Sequence, residues 1–471
     1  MPEGTVLPNP TLTTVVPTTA ATAEAAPRLL LAAGFSVASL AVHLTITFAF
    51  WRLGVYYFND VLFASDTHNF LESIAHGERS VRTIVPDLRN SVHPFVWLYF
   101  SPLVRLVAKM AVVTHLSDAN VFDLRMAVGV FVMPMVAAVQ AFAFAALLFA
   151  LGFGVSAVAA LSLINLFCFS SMIFGSVPDH FAITNLALTL TLLFAVVVKV
   201  RPTFDRRWLW ISLGLFAAGV TITDLVFFGI IHFGTRMRVG FRSISRAALR
   251  SAILTLALLG FVLTTASIVG DMLDGAPDIA VMRKDFVTRY LQDNTPFGQR
   301  IERAVKAVED GFVTRPDEIH EKPAAELPIE YYPVTPPPSG ERRVYPSYTL
   351  EARPIIHSVL GVVAVLMVLA GAGVMVARGG NSRLIALISI ALILFNLVFH
   401  NIWGDEYLLY SQHWMTPVLL LLAGLFYVPT KWRGSTTAVV TLLAIAIGIV
   451  NTTTLWDLMD RLRTASNGIL G

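Results

Sequence analysis

The stretch IHSVLGVVAVLMVLAGAGVMVA, residues 356–377, contains no Asp, Glu, Lys or Arg. As an α-helix, about 20 such residues are enough to cross the roughly 30 Å hydrocarbon core of a bilayer. Comparable apolar stretches recur along the chain, at about 29–51, 124–151, 154–175, 182–200, 251–270, 384–403, 414–429 and 437–456. Together they predict an all-α polytopic membrane protein with about nine full spans.

The composition favours the same class. Of 471 residues, 56% are hydrophobic and 14% are charged, whereas an ordinary soluble chain is about 45–50% apolar and 25% charged. A transmembrane β-barrel is excluded because its strands would alternate in hydrophobicity. The single cysteine, Cys168, excludes disulfide frameworks, cysteine-based zinc sites and iron–sulfur clusters.

The remaining segments complete the predicted organisation. A Pro/Thr/Ala-rich start predicts a disordered cytoplasmic tail, and a mixed-charge segment between two spans predicts a small extracytoplasmic insert with one amphipathic helix in DNTPFGQRIERAVKAVEDGF. The mixed charge of the insert also argues against a nucleic-acid partner. The predicted units are the tail 1–28, a bundle 29–270 with a first outer loop 52–123, the insert 271–355, a second bundle 356–456 and a tail 457–471.

Basic residues set the predicted orientation, because short cytoplasmic loops are rich in Arg and Lys. The segment 235–250 has five arginines and no acidic residue, and two short loops carry Arg378 with Arg383 and Lys431 with Arg433. We expect all three on the cytoplasmic side. The segments 52–123, 176–181, 271–355 and 404–413 then face the periplasm or exterior of what we expect to be a bacterial inner (plasma) membrane.

One apolar stretch does not fit a simple crossing. Residues 199–207 and 235–250 both have the basic character of cytoplasmic segments, yet only 208–233 lies between them. A single crossing cannot return to its starting side. We therefore expect two short helices that meet within the membrane near Gly219–Asp224, which is tolerated where the break lines a cavity or is buried in protein. One ordinary span with a weak charge signal is the alternative.

Polar residues that are costly beside hydrocarbon gather in the outer segments and mark candidate sites. The first loop carries Asp60, Asp66, His68, Asn69, Arg89 and His93; the second carries Asp179 and His180; the last carries His400, Asp405, Glu406, Tyr410, Gln412 and His413. Each of these residues could instead have a purely structural role. Asp179 follows Pro178 and could cap a helix, and Asp405–Glu406 could keep a loop in water.

The chain lacks the usual sequence motifs of metal sites and of nucleotide-binding enzymes. Imidazole and carboxylate groups of these clusters could in principle bind Zn, Mn or Mg, but no HExxH spacing occurs, so no metal site is predicted and a divalent cation stays open. The chain also lacks Walker A, GxGxxG and GxSxG motifs, which are the marks of nucleotide hydrolysis, Rossmann cofactors and α/β-hydrolases.

From about residue 29 to 430, the chain resembles the GT-C superfamily of integral-membrane glycosyltransferases. An acidic residue follows the first span in FNDVLFASDTHNF, a juxtamembrane segment follows in HPFVWLYFSPLVRLV, and VPDHFAITN opens a later span with an acid. Paired short helices are entered through a basic-aromatic step in DRRWLWISLGLFAAGVTITDLVFF, and a soluble insert comes late in the chain. The similarity lies in architecture more than in motif.

The resemblance implies a polyprenyl-phosphate sugar as donor, inversion at the sugar, and a glycan, lipid or protein as acceptor. Because the catalytic acid of this superfamily falls soon after the first span, it implies that Asp66 is the base, with Asp179 as a second carboxylate or an acceptor-orienting group. Cationic Arg89, His93 or His413 would stabilise the leaving phosphate. The other expected substrate contacts are Asp60, His68, Asn69, His180, Trp403, Asp405, Glu406, Gln412 and Trp414.

The donor's lipid tail needs an apolar groove, and the break at Gly219 and Asp224 is the expected place, because short helices leave hydrocarbon depth unfilled. Two other functions stay open. A lipid or small-molecule transporter or flippase would explain the broken helices, with Asp224 as its best residue. A non-catalytic component of polysaccharide export would need no site residues.

Overall fold

In the computed structural model, residues 19–53, 55–57, 121–237, 241–272, 296–314, 318–323, 342–347, 354–402 and 408–466 are described, with scattered positions between 67 and 110. The helices are α1 Thr19–Arg52, α2 Val121–Ala150, α3 Val155–Phe167, α4 Phe169–Phe174, α5 Phe181–Val200, α6 Arg207–Val220, α7 Asp224–Arg236, α8 Phe241–Met272, α9 Phe297–Phe312, α10 Ile355–Arg378, α11 Gly380–Ile402, α12 Met415–Ala423 and α13 Thr430–Ser466. Two strands, β1 Glu318–Pro323 and β2 Arg342–Ser347, lie in the insert.

The protein is a helical polytopic membrane protein, as predicted. Seven described helices are long and apolar enough to cross a membrane: Ala25–Arg52, Phe131–Ala150, Phe181–Val200, Arg242–Thr265, Ile355–Arg378, Gly380–His400 and Thr430–Thr464. Two of the nine predicted spans take shorter forms. The stretch 154–175 divides into α3 and α4 at Cys168, whose backbone is extended, and 414–429 becomes α12 followed by a 3₁₀ turn at Gly424–Tyr427.

The two predicted tails differ from expectation. The chain is already helical from Thr19, so the end of the predicted tail 1–28 belongs to α1, and residues 1–18 lie outside the described part. At the other terminus, α13 continues to Ser466 through most of the predicted tail 457–471. Hydropathy marks where a helix becomes apolar and not where its hydrogen-bonded backbone begins or ends.

Basic residues gather at one end of the bundle, which we call the basic end. Arg28 at the start of the first span lies 5.8 Å from the Phe149 ring near the end of α2, so α1 and α2 are antiparallel. Arg378 lies 4.4 Å from the ring of Tyr427, and Phe153 packs on that same ring at 4.9 Å. The turns after α2, α10 and α12 therefore meet at the end where α1 begins.

The predicted break between two short helices is confirmed. α6 ends at Val220 and α7 begins at Asp224. Asp205, just before α6, accepts two hydrogen bonds from the guanidinium of Arg236 at the end of α7, at 2.5 and 2.7 Å. The indole of Trp210 also donates to Asp205 at 3.0 Å. The two helices thus form a hairpin, which we call the broken hairpin, whose ends are clamped together at the basic end.

The described helix of the insert packs against the bundle. Its helix α9 forms where the amphipathic pattern predicts it, but Ala307, Phe312 and Val313 are buried against the bundle. Asn451 of α13 donates one hydrogen bond to the carbonyl of Phe312 at 2.7 Å and another to that of Phe167 at 2.8 Å. α9 is therefore part of the bundle core.

The insert also contains an antiparallel strand pair that the sequence did not predict. Glu318 pairs with Ser347 at one end of the register, and Pro323 pairs with Arg342 at the other. The segment 324–341, which includes the proline-rich run, lies outside the described residues.

Candidate functional site

The structure describes some of the polar residues in the predicted outer segments and not others. Asp60, Asp66, His68, Asn69, Arg89, His93, Trp403, Asp405 and Glu406 lie outside the described residues, so their expected roles stay predictions. The structure does position Asp179, His180, Gly219, Asp224, His400, Tyr410, Gln412, His413 and Trp414. All of these except Gly219 and Asp224, which border the turn of the broken hairpin, lie in or beside the turns opposite the basic end.

The turn between α4 and α5 is held rigidly against α1. The carbonyl of Ser176 accepts hydrogen bonds from the hydroxyls of Thr47 at 2.9 Å and Tyr56 at 2.7 Å. The hydroxyl of Ser176 lies 3.0 Å from Nδ1 of His43. Burial raises the pKa of Tyr56 well above its usual value, so the phenol keeps the proton that it donates. These bonds fix the turn that carries the next two residues.

Asp179 and His180 form a buried pair at the start of α5. Asp179 is fully buried, and its Oδ1 lies 2.6 Å from both the backbone N and Nδ1 of His180. Burial lowers the pKa of His180, and Nδ1 of its ring donates to the carboxylate. The N-cap position is His180, which has no side-chain cap bond, and Asp179 one residue earlier accepts from the backbone N–H of His180.

Aromatic rings from the last outer segment surround this pair. His413 lies between two other imidazoles, with ring centroids 6.5 Å from His180 and 5.5 Å from His400. Tyr410 stacks on His400 at 3.8 Å and packs against Phe181 at 5.8 Å. Segments more than 200 residues apart in the chain therefore meet here, as the sequence predicted from their shared face. We call Asp179, His180, His400, Tyr410 and His413 the outer cluster.

Gln412 forms its hydrogen bonds inside the bundle. Its carbonyl accepts from Asn185 at 2.6 Å, and its amide donates to Ser170 at 2.5 Å. Asn185 also accepts from Thr416 at 2.8 Å. With both ends of its amide bound within the protein, Gln412 serves as a structural link between α5, α4 and the last outer turn. Trp414 is likewise fully buried in the core.

Asp224 is a second buried carboxylate, at the turn of the broken hairpin. One oxygen, Oδ2, accepts a hydrogen bond from the Thr184 hydroxyl at 2.9 Å. The other, Oδ1, has no hydrogen-bond partner within the described part of the chain. Phe227, one turn along α7, packs against His413 at 5.6 Å and so connects this acid with the outer cluster.

The groove expected at Gly219 is not open in this structure. The backbone N–H of Phe95 donates to the Gly219 carbonyl at 2.9 Å, and a Cβ added at Gly219 would come within 2.8 Å of Phe95 and overlap the hydroxyl of Tyr99. The Tyr99 hydroxyl also donates to the carbonyl of Leu215 at 3.2 Å. Phe95 and Tyr99 therefore fill the space beside the short helix.

Three buried polar residues, Asn185, Thr189 and Asp310, were not singled out by the sequence. Asn185 and Thr189 stand four residues apart on one face of an otherwise apolar span, and that spacing is the signal that could have identified the buried amide network. Asp310 is fully buried in α9, although the mixed charge of the insert indicated a solvated surface. Its burial depends on the docking of α9, which no local pattern encodes.

The described residues contain no group of three or more His, Cys, Asp or Glu side chains placed to bind one metal ion. The outer cluster offers one carboxylate, three imidazole rings and a phenol as hydrogen-bonding groups. Comparison with models of known protein families and with curated proteins found no match for this chain.

Proposed function

We propose that the protein is a membrane glycosyltransferase that moves a sugar from a polyprenyl-phosphate donor to a glycan, lipid or protein acceptor on the extracytoplasmic face. The observation that carries the proposal is the buried Asp179–His180 pair at the end of the bundle opposite the basic residues, where His180 lies beside His413 and the neighbouring Phe181 packs on Tyr410. Burying a carboxylate in a membrane bundle is costly, and such residues usually serve a function.

The chemistry would follow an inverting displacement. Asp66 takes the proton of the acceptor hydroxyl while that oxygen attacks the anomeric carbon. The bond between the anomeric carbon and the phosphate oxygen breaks, and the polyprenyl phosphate leaves with the electron pair. Arg89, His93 and His413 would stabilise its charge. Asp179 fixes the orientation of His180, whose ring then binds the acceptor.

The GT-C-like architecture belongs to the same proposal. The α3–α4 pair and α12 with its 3₁₀ turn would cross the bilayer despite their shorter lengths, which gives about nine spans. Support comes from their ends: Phe153 before α3 and Tyr427 after α12 pack together at the basic end, whereas Ser170 and Ser411 hydrogen-bond at the opposite end. The broken hairpin and the late insert are further points of similarity.

The orientation in a bacterial plasma membrane is also proposed. Cytoplasmic loops carry the excess of Arg and Lys, so the basic end would face the cytoplasm and the outer cluster would face the periplasm or exterior. The donor and the surrounding membrane lipids would then be the partners on that side.

Transfer of a radiolabelled sugar tests the proposal. The purified protein in liposomes is given a polyprenyl-phosphate sugar and a membrane extract as acceptor. Asp66→Asn should lower the rate by about 10²-fold or more, the scale of a general base, and Asp179→Asn by about 10-fold or more through misorientation of His180. Asp460→Asn, an exposed acid near the end of α13, is the matched control. Absence of transfer from any lipid-linked sugar would contradict the proposal.

A transporter is the second candidate, and Asp224 is the observation that favours it. A carboxylate with one oxygen lacking a described partner, at the break between two short helices, resembles the ion-binding breaks of transporters. Proton- or sodium-dependent uptake into proteoliposomes that Asp224→Asn abolishes, without sugar transfer, would favour this function.

A further inference from the structure

A cleft at the basic end lies outside the outer cluster and has no part in the proposed chemistry. It consists of two adjoining pockets between the broken hairpin, the end of α5 and the start of α8. The first has a volume of about 550 Å³, and its polar lining is Lys199, Asp205, Thr235, Arg236, Ser243, Arg246 and Arg250. The second, of about 380 Å³, shares Arg236 and Arg250 with the first.

Basic side chains outnumber acidic ones in the described lining of the first pocket. Asp205 is the one acidic side chain among the described residues that line it, and both of its oxygens bind Arg236. Arg246 uses Nε to bind the carbonyl of Arg242 at 3.2 Å, which leaves its two terminal nitrogens for other acceptors. The fork of a guanidinium matches the oxygens of a phosphate. The pocket thus favours an anion with several oxygens.

The second pocket supplies an apolar wall beside this charge. Trp210, Ile211 and Leu254 line it together with the stem of Arg207. Ile211 is 42% exposed, and Trp208 beside it is 63% exposed, although both lie on an apolar helix of the bundle. Large apolar side chains that are exposed on such a helix face lipid. The cleft is therefore charged at the bundle's end and apolar along its side.

We propose that this cleft binds the phosphate of an anionic membrane lipid. The phosphate lies among Lys199, Arg246 and Arg250 in the first pocket, and an acyl chain follows Ile211 and Leu254 along the second. Basic pockets between helices at the cytoplasmic membrane surface are suited to anionic head groups. A lipid in this place would join the broken hairpin to α8. The proposal does not depend on sugar transfer.

Lipid binding is measured by native mass spectrometry of the full chain in detergent, titrated with long-chain phosphatidylglycerol, with phosphatidylcholine and with inorganic phosphate. Phosphatidylglycerol should bind at least about 10-fold more tightly than phosphatidylcholine, and added salt should weaken it. The double variant Arg246→Gln with Arg250→Gln should weaken binding of phosphatidylglycerol by about 10-fold or more. Lys431→Gln with Arg433→Gln, which removes the same charge from exposed positions at the same end, should not.

The apolar wall is tested separately. Leu254→Gln should weaken binding of long-chain phosphatidylglycerol and leave a short-chain, water-soluble phosphatidylglycerol nearly unaffected. Lys199→Gln gives an independent reading of the head-group site should the double variant not fold. The proposal is overturned if phosphatidylcholine binds as tightly as phosphatidylglycerol, or if the control variant loses as much binding as the double variant. It is also overturned if inorganic phosphate binds tightly and Leu254→Gln leaves that binding unchanged, because the site would then belong to a free anion.

Discussion

Asp224 is a buried acid whose cost to stability can be measured. Its buried carboxylate has one hydrogen bond, from Thr184, and Oδ1 has no described partner. Ionisation of a half-paired buried carboxyl group would cost free energy, and an amide of the same shape cannot ionise. We expect Asp224→Asn to raise the melting temperature in detergent, because its carbonyl can still accept from Thr184. A fall in melting temperature would mean that a group outside the described residues binds Oδ1.

Gly371 and Gly424 set the closest approach between two helices. A Cβ added at Gly371 of α10 would overlap the carbonyl oxygen of Leu421, and one at Gly424 would overlap that of Gly371. Small residues at such crossings let backbones pack closely. Gly371→Ala should therefore destabilise the protein by about 1–3 kcal/mol, the usual cost of overpacking.

Gly373 provides the matched control for this test. It lies on the same helix two residues further on, is exposed, and has no atom within 4 Å of an added Cβ. Gly373→Ala should leave stability unchanged or raise it by up to about 1 kcal/mol, since alanine is the better helix former. Thermal unfolding followed by size-exclusion fluorescence measures both variants. Equal effects at the two glycines would contradict the close packing at Gly371.

At the scale of elements, the two parts of the insert should tolerate deletion differently. Pro323 and Arg342 face each other across the strand pair, so an Asn-Gly turn can join them in place of residues 324–341. That deletion should leave a monodisperse protein. Removing 297–314 takes away α9, whose Phe312 and Val313 are buried in the bundle, and should abolish folding. Expression as a fluorescent fusion, with size-exclusion profiles, distinguishes the two outcomes.

The opposite result would also be informative. If the variant without 297–314 folded and the variant without 324–341 did not, the docking of α9 would not contribute to the bundle. The strand pair would then have to depend on the segment between its strands.

At the scale of the whole molecule, the orientation can be tested on the intact protein. Cys168 is the only cysteine and is buried, so the natural chain should not react with a membrane-impermeant maleimide. Gln299→Cys, exposed on α9, should be labelled in intact cells. Asn381→Cys, exposed at the basic end, should react only after permeabilisation. The reverse pattern would move the outer cluster to the cytoplasm and remove the basis for an extracytoplasmic donor.

The sequence by itself determined the class of the protein and the approximate positions of most of its apolar helices. Apolar stretches such as 356–377 must bury their length in hydrocarbon, so they predict spans from local composition alone. The broken hairpin also followed from the sequence, because the basic segments 199–207 and 235–250 cannot lie on one side with a single crossing between them. Arg and Lys positions are enough for that inference, and the Asp205–Arg236 clamp agrees with it.

Only the tertiary structure decided which side chains meet. It joined Asp179 and His180 to His413, turned Gln412 inward to Asn185, and closed the space at Gly219 with Phe95 and Tyr99. It also buried Asp310 by docking α9 onto the bundle. Hydropathy and charge indicate whether each segment lies in lipid or in water. These contacts depend instead on how distant helices pack against one another. That packing is a property of the assembled bundle, so no single stretch of sequence contains it.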